Sequence, residues 1–477
     1  MGQYPAMGKR YGSYTPRPLY CAKTVERLNL MFTIAAVSTN VAALPIGTIL
    51  DTYGPRVCGI IGSVFLAIGA ALFSLAARFP FDGYIPGYLF LALGGPFVFI
   101  SSFQLSNCFP AHSGLILALL TGAFDSSSAL FLLFRILYEV TDGEIDTHKL
   151  FLIYLVVPAF ILIVQIFIMP AESYKTVGEI VKLAEDELNA PTPDEDSIPD
   201  PRERICRQEE HRQRRESVMS ELNVLLETST NAKRAKREDR KNKKSGVWGV
   251  LHGYSALEQI NTPWFWLITL FTVVQMLRIN YFVATVHPQY AYLLQSRQRA
   301  KTVNHFFDVA LPLGGVLSIP FIGSLLDHTS TPFALGFLVA SATLIGILGC
   351  LPYMWAAIAN ICLFVVYRPF YYTAVSDYAA KVFGFQTFGK VYGLIICLAG
   401  LFNFLESPLD AATYILFNRD PTPVNVILLS VAFVVGSALV SFVYVRSRNI
   451  RRDLLEDEAE GAREALMPTA VGNGYGT

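Results

Sequence analysis

Charge is what this sequence has least of. Only 16% of its 477 residues are Asp, Glu, Lys or Arg, against roughly one quarter in a soluble domain. Hydrophobic residues make up 53% and the mean hydropathy is +0.41. Basic and acidic residues balance at 38 each, so there is no overall basic excess with which to hold nucleic acid. No glycine-rich phosphate loop is present, and no serine or cysteine stands beside an identifiable base, which argues against an enzyme. The seven cysteines are scattered without a Cys-x-x-Cys pair or a Cys/His cluster. Neither a disulfide framework nor a metal site is therefore expected, and no cofactor is called for. No apolar run precedes Leu28, so no cleavable signal peptide is visible.

What is present is a series of apolar runs long enough to cross a bilayer. A crossing needs roughly 20 mostly apolar residues, each adding about 1.5 Å to a layer about 30 Å thick. On that rule spans are expected at 28–50, 57–77, 85–107, 114–138 and 150–170. A second set is expected at 264–286, 303–326, 332–351, 353–376, 387–409 and 424–446. The fold class that follows is an all-α membrane protein of two helical bundles with about eleven visible crossings. An open sheet is excluded, because unpaired backbone groups are too costly in hydrocarbon.

Five regions result: a polar tail (1–27), an N-terminal bundle (28–170), a charged linker (171–262), a C-terminal bundle (263–446) and a second tail (447–477). The linker carries four acids among the prolines of Pro191–Pro201 and a basic run from Lys233 to Lys244. It cannot bury enough apolar surface to fold alone and is expected to be largely disordered. Its basic run would suit anionic headgroups, and Trp248 to Trp266 read as an interfacial approach to the next span. Lys and Arg in short loops (Arg56, Lys381, Lys390, and Arg446 to Arg452) fall on one side, which marks it as cytoplasmic. Arg297, Arg299 and Lys301 fall on the other side and break the rule.

Between the first two spans lies Gly47-Thr-Ile-Leu-Asp51-Thr-Tyr-Gly54-Pro-Arg56. These four numbered residues resemble the loop signature of the major facilitator superfamily, roughly G-x-x-x-D-[RK]-x-G-x-[RK], with Thr52 and Pro55 standing where bases are usual. Gly323 and Asp327 repeat the Gly-to-Asp spacing after the second span of the second half, without the downstream glycine and base. In the superfamily's six-plus-six plan the signature follows the second helix of each half. The first copy here follows the first visible span, so one span is expected to be missing at the N-terminus. Gly47, Asp51, Gly54, Arg56, Gly323 and Asp327 are the residues expected to gate the cytoplasmic face.

A charge inside a span is expensive, about 2.5–3.5 kcal/mol on insertion scales, and needs a reason. Asp125 with Ser126, Ser127 and Ser128 forms a polar turn that would line a central cavity or hydrogen-bond within the bundle. Arg278 sits mid-span. Arg368, followed by Pro369, Phe370 and Tyr371, either meets a substrate carboxylate or pairs with a buried acid such as Asp125 or Glu406. Asn304, His305 and Asp308 share a helix face, where His305 and Asp308 would serve a proton relay or only line a solvated entrance.

The runs Leu28-Asn-Leu-Met-Phe-Thr-Ile-Ala, Ala43-Leu-Pro-Ile-Gly-Thr-Ile-Leu-Asp51, Gly122-Ala-Phe-Asp-Ser-Ser-Ser128 and Arg368-Pro-Phe-Tyr-Tyr372 resemble solute carrier family 43 and its fungal relatives. That resemblance implies a sodium-independent facilitator of large neutral amino acids, or else a purine nucleobase carrier. It implies alternating access, a small-molecule substrate and an integral, multi-pass place in a plasma or vacuolar membrane. Arg368 or Arg278 would meet the substrate carboxylate, Asp125 and Ser126 to Ser128 its ammonium, and Phe370 and Tyr371 its side chain. The oligomeric state stays open, with a monomer sufficient. A non-transporting scaffold or sensor acting through the linker is the alternative from another class.

Overall fold

The computed structural model describes residues 34–109, 112–171, 245–384 and 386–466. The tail 1–27 and the linker's acidic and basic runs lie outside the described residues. Everything described is helix, turn or loop, with no strand. Nine helices of the described residues are long and apolar enough to cross a membrane, or ten if one bent pair counts as a single span.

The N-terminal bundle comprises α1 (Ile34–Leu75), α2 (Tyr84–Ser106), α3 (Ser113–Val140) and α4 (Thr147–Phe167). Helix α1 has 42 residues and at about 1.5 Å per residue is twice the length one crossing needs. It is broken at Gly54, whose φ of 81° lies in the left-handed region open to glycine, and Pro55 then removes a helix donor. Both limbs lie on the same stretch of α2. Thr39 of the first limb donates to the Ala92 carbonyl at 3.1 Å, while Gly62 and Leu66 of the second pack on Gly94. Further along, Cys58 meets Phe97 and Gly69 meets Gly87 and Leu91. The second limb thus runs antiparallel to α2 while the first runs alongside it, and the chain reverses at Gly54. The expected hinge is real, and counting both limbs with the bent pair gives eleven crossings.

After the linker come a short helix α5 (Ala256–Ile260) and the C-terminal bundle. The bundle contains α6 (Pro263–Leu293), the pair α7 (Arg297–Leu317) and α8 (Ile319–His328), α9 (Thr331–Leu348), α10 (Met354–Phe383) and α11 (Phe388–Ile415), closed by α12 (Thr422–Leu466). The pair α7/α8 is bent by 42° where Ser318 leads into Pro320 at the start of α8, the usual cause of such a bend. Helix α12 continues past the expected end of the bundle at 446 to Leu466.

One expectation is corrected here. Residues 245–262, assigned to the disordered linker, are ordered and docked under the C-terminal bundle. Gly249 and Leu251 donate their amides to the carbonyls of Lys381 and Val382 at 3.0 Å each. Buried Gln259 donates to the carbonyls of Leu251 and Phe383 at 2.9 Å each. Ser255 and Glu258 form a capping box that starts α5, and the Ser255 donors hold the Glu258 carboxyl below its usual range. The segment is held by these backbone bonds to α10 and by Val247 and Leu251, which bury in the apolar core. Lys381, counted above as a loop charge, lies in the last turn of α10 and pairs with buried Asp377 at 2.6 Å.

The two bundles close on each other at the end that carries Asp51 and Asp327. Phe103, Leu117 and Ala118 from α2 and α3 join one apolar core with Phe271, Tyr371 and Tyr392. Above that core, residues 129–140 of α3 bury none of their side chains.

Candidate functional site at the bundle interface

Two seams join the bundles, and each begins at an aspartate near the end of a helix. At the end of the first limb of α1, Asp51 accepts the amides of Gly389 and Lys390 through its two carboxylate oxygens, at 2.8 Å each. Those amides are the open N-terminal donors of α11, where backbone N–H groups lack helical partners and the dipole favours an anion. At the end of α8, Asp327 accepts the amides of Gly114 and Leu115 at 3.0 and 3.2 Å, the open donors of α3. An acid from each bundle therefore caps a helix of the other.

Glycine makes these seams possible. A β-carbon on Gly47 would collide with the Gly389 backbone, and one on Gly393 with the Ala43 carbonyl. On the second seam a β-carbon on Gly323 would come within 2.8 Å of Leu115, and one on Gly122 within 2.6 Å of the Gly315 carbonyl. The first seam continues up to Asn40 against Gly400. The second continues to Ser126, whose hydroxyl reaches the Pro312 carbonyl at 3.3 Å. Arg56 takes no part in either seam. Its Nε donates to the Met169 carbonyl at 2.9 Å and ties the hinge to the end of α4.

Midway through the membrane the second seam becomes polar. Arg368 of α10 forms an ion pair across the bundles with Asp125 of α3, Nη1 to Oδ1 at 3.3 Å. Tyr372, one turn further along α10, sets its hydroxyl against the guanidinium. One turn toward the end that carries Asp51 and Asp327, the Thr121 and Thr373 hydroxyls meet across the bundles at 2.5 Å. The ion pair is incompletely satisfied: neither Asp125 oxygen nor Arg368 Nε has a hydrogen-bond partner, although all three atoms are buried. Unmet capacity of that kind is costly in a low-dielectric site. Of the two sequence readings of Arg368, the pairing with Asp125 is the one the structure contains.

The other residues named from the sequence are spread more widely. The Ser126, Ser127 and Ser128 hydroxyls return to backbone carbonyls three or four residues back, those of Gly122, Phe124 and Asp125. They shape the turn of α3 rather than offering a free polar wall. Phe370 and Tyr371 do not line the interface as expected. Phe370 is buried against Phe337 of α9, and Tyr371 is buried with its hydroxyl donated to the Thr272 carbonyl at 2.8 Å. Tyr372 is instead in edge contact with Phe124, the residue before Asp125, at 6.4 Å. Arg278 lies in the interior of the C-terminal bundle, away from Asp125, where it donates to the Ala342 carbonyl and to Gln275. A relay between His305 and Asp308 is not formed, since Asp308 accepts from Asn304 at 3.3 Å and His305 stands exposed.

Sequence reasoning missed the helix N-termini that receive Asp51 and Asp327, as well as Thr121, Thr373 and Tyr372. The glycine-glycine spacing in α11 was a usable signal for the first. The threonines carry no pattern of their own.

The family model described as Major Facilitator Superfamily matches residues 10–405. Protein FMP42 of Saccharomyces cerevisiae is 49% identical over 458 residues, 92% of this chain and 88% of that protein. Equilibrative nucleobase transporter 1 of Bos taurus is 26% identical across 86% of this chain and 82% of its own. Large neutral amino acids transporter small subunit 3 of Homo sapiens is 32% identical over a shorter stretch, 25% of this chain and 22% of its own. Among solved structures, the proton:xylose symporter XylE bound to 6-bromo-6-deoxy-D-glucose shares the fold with a TM-score of 0.55. The identity is 14%, over 88% of this chain and 86% of that one.

Proposed function

From the premise that the chain belongs to the major facilitator superfamily and is a membrane transporter, we propose that it is a facilitator of large neutral amino acids. The observation that carries this reading is the Asp125–Arg368 pair, its acid buried and its base mostly so, bridging the two bundles and short of hydrogen-bond partners. A zwitterion brings one charge of each sign. It can part the pair and leave neither charge exposed, its ammonium taking Asp125 and its carboxylate taking Arg368 as a fork of two hydrogen bonds. The exchange is close to neutral in charge. Phe124 and Tyr372, beside the pair, suit an apolar or aromatic side chain.

Transport then follows from rocking of the two bundles about this midplane site. The conformation described is closed on the cytoplasmic side, and Asp51 and Asp327 act as its latches. Opening inward means withdrawing each carboxylate from two helix-terminal amides. Gly47, Gly54 and Gly323 permit the close approach and the reversal on which the latches depend, while Arg56 steadies the hinge against α4.

A nucleobase carrier is the second reading, favoured by the extent of the match to the bovine relative. An uncharged base would leave the Asp125–Arg368 pair in place. Uptake of labelled leucine, phenylalanine and adenine into proteoliposomes separates the two: saturable uptake of the amino acids supports the first, and uptake of adenine alone removes it.

A further inference from the structure

Consecutive residues of α10 face two different compartments. Arg368 points across the bundles to Asp125. Tyr367 instead lines a pocket inside the C-terminal bundle, walled by α6, α9, α10 and α12, with a volume of about 50 Å³. Arg278, near the middle of the 31-residue α6, is the one charged residue among those lining it. Its guanidinium has two described hydrogen bonds, to Gln275 Oε1 at 3.3 Å and to the Ala342 carbonyl at 3.1 Å. Among the described residues no carboxylate lies within ion-pair distance of it.

The remaining walls are polar and short of partners. Gln275 Nε2, Asn360 Oδ1 and the Tyr367 hydroxyl are each buried with no hydrogen-bond partner, and their residues are at most 4% exposed. Gly346 backs the guanidinium, since a β-carbon there would come within 2.9 Å of Arg278 Nη2. Toward the outer side the pocket is lined by Gln289 and Asn425, which hydrogen-bond to each other at 3.0 Å.

A cation held mid-membrane without an acid is costly, and buried charges are ordinarily paired. Here the guanidinium keeps unused donors facing a cavity, and an amide and a hydroxyl donor converge with it. We propose that this pocket is a binding site for a small inorganic anion of the chloride class, held by Arg278 with Gln275 Nε2 and the Tyr367 hydroxyl. Measured as room for the centres of water-sized spheres, about 10–15 Å³ holds one water, so the pocket has space for a few waters and a halide fits. The anion would neutralise Arg278 and tie α6 to α9 and α10, so the folded bundle should be more stable with it than without. This is a second site, independent of the inter-bundle pair and of the substrate assigned to it.

The test is equilibrium binding of chloride-36 to the purified full-length protein in gluconate buffer, paired with thermal unfolding across a chloride titration. Expected are saturable binding, a rise in Tm that saturates with chloride, and persistence of binding when leucine is in excess. Arg278→Gln should weaken binding by at least about tenfold, the scale of losing one charge-assisted contact. Gly346→Ala, which crowds the guanidinium while keeping its charge, should weaken it less. Because binding and Tm are read on the wild-type protein, the outcome does not depend on the Gln variant folding. Absence of saturable chloride binding overturns the proposal. So does displacement of chloride by leucine, which would make the pocket part of the substrate path.

Discussion

The two seams between the bundles begin alike and end differently. Asp51 and Asp327 each cap the open amides of a helix in the opposite bundle, with acceptor distances of 2.8 to 3.2 Å. In sequence the second hinge looks degraded, lacking the downstream glycine and base of the first. The geometry shows that neither lost residue makes the contact: Arg56 is committed to Met169 and Gly54 to the chain reversal. What both copies keep, a glycine and an aspartate four residues apart, is what crosses the interface. Higher up they diverge. The α1–α11 seam runs on through Gly393 against Ala43 to Asn40, whereas the α3 seam carries Thr121, Asp125 and Ser126. One seam is a contact of small residues and the other carries polar and charged groups; on the function proposed above, selectivity belongs to the second and gating to both.

The largest effect should come from separating selectivity from gating on the equipped seam. Asp125→Asn or Arg368→Gln leaves the other charge buried alone, a loss of about 3–5 kcal/mol in comparable pairs. Transport should fall at least about a hundredfold in proteoliposome uptake, with partial recovery in the charge-swapped double variant. Next comes the small-residue seam. Gly47→Val would drive two side-chain methyls into the Gly389 backbone, so the cytoplasmic side should stay open. Thiol labelling of single cysteines placed below the pair would report that change directly.

Weakening a latch should cost less. Asp51→Asn keeps the shape and removes the charge from the α11 terminus, an interaction worth about 0.3–2 kcal/mol. The outward-to-inward equilibrium should move by about twofold to roughly thirtyfold, with turnover altered and the ranking of substrates unchanged. Asp327→Asn should behave the same way if the seams are equivalent at their base; a changed ranking in either variant would break the comparison. Arg56→Gln should matter least, since one exposed-side hydrogen bond to a carbonyl contributes about 0.5–1.5 kcal/mol. Its measure is a small drop in Tm with uptake nearly intact.

How much of this was legible in the sequence depended on whether a signal was local. The crossings were, because apolar length is a property of a segment, and the Gly54 reversal was, because glycine and proline act on their own backbone. Asp51 and Asp327 stood out as acids beside apolar runs, but their partners are backbone amides, which carry no residue identity. Asp125 and Arg368 were visible as misplaced charges, and Asp125 was one of two acids named as a partner for Arg368. Phe370 and Tyr371 were misassigned because an aromatic run on a helix faces several ways, and only packing against Phe337 and Thr272 decides which. Residues 245–262, read as the end of a largely disordered linker, dock through backbone bonds to Lys381 and Val382 and through Val247 and Leu251, contacts that composition alone does not report.

The central claim is that substrate enters by exchanging its two charges for those of Asp125 and Arg368. The most direct measurement is uptake of labelled leucine in competition with isocaproate and isopentylamine, which keep its side chain but carry one charge each, and with adenine, which carries none. The account predicts that only unlabelled leucine and similar zwitterions compete. Equal competition by a single-charge analogue, or by adenine, would contradict it.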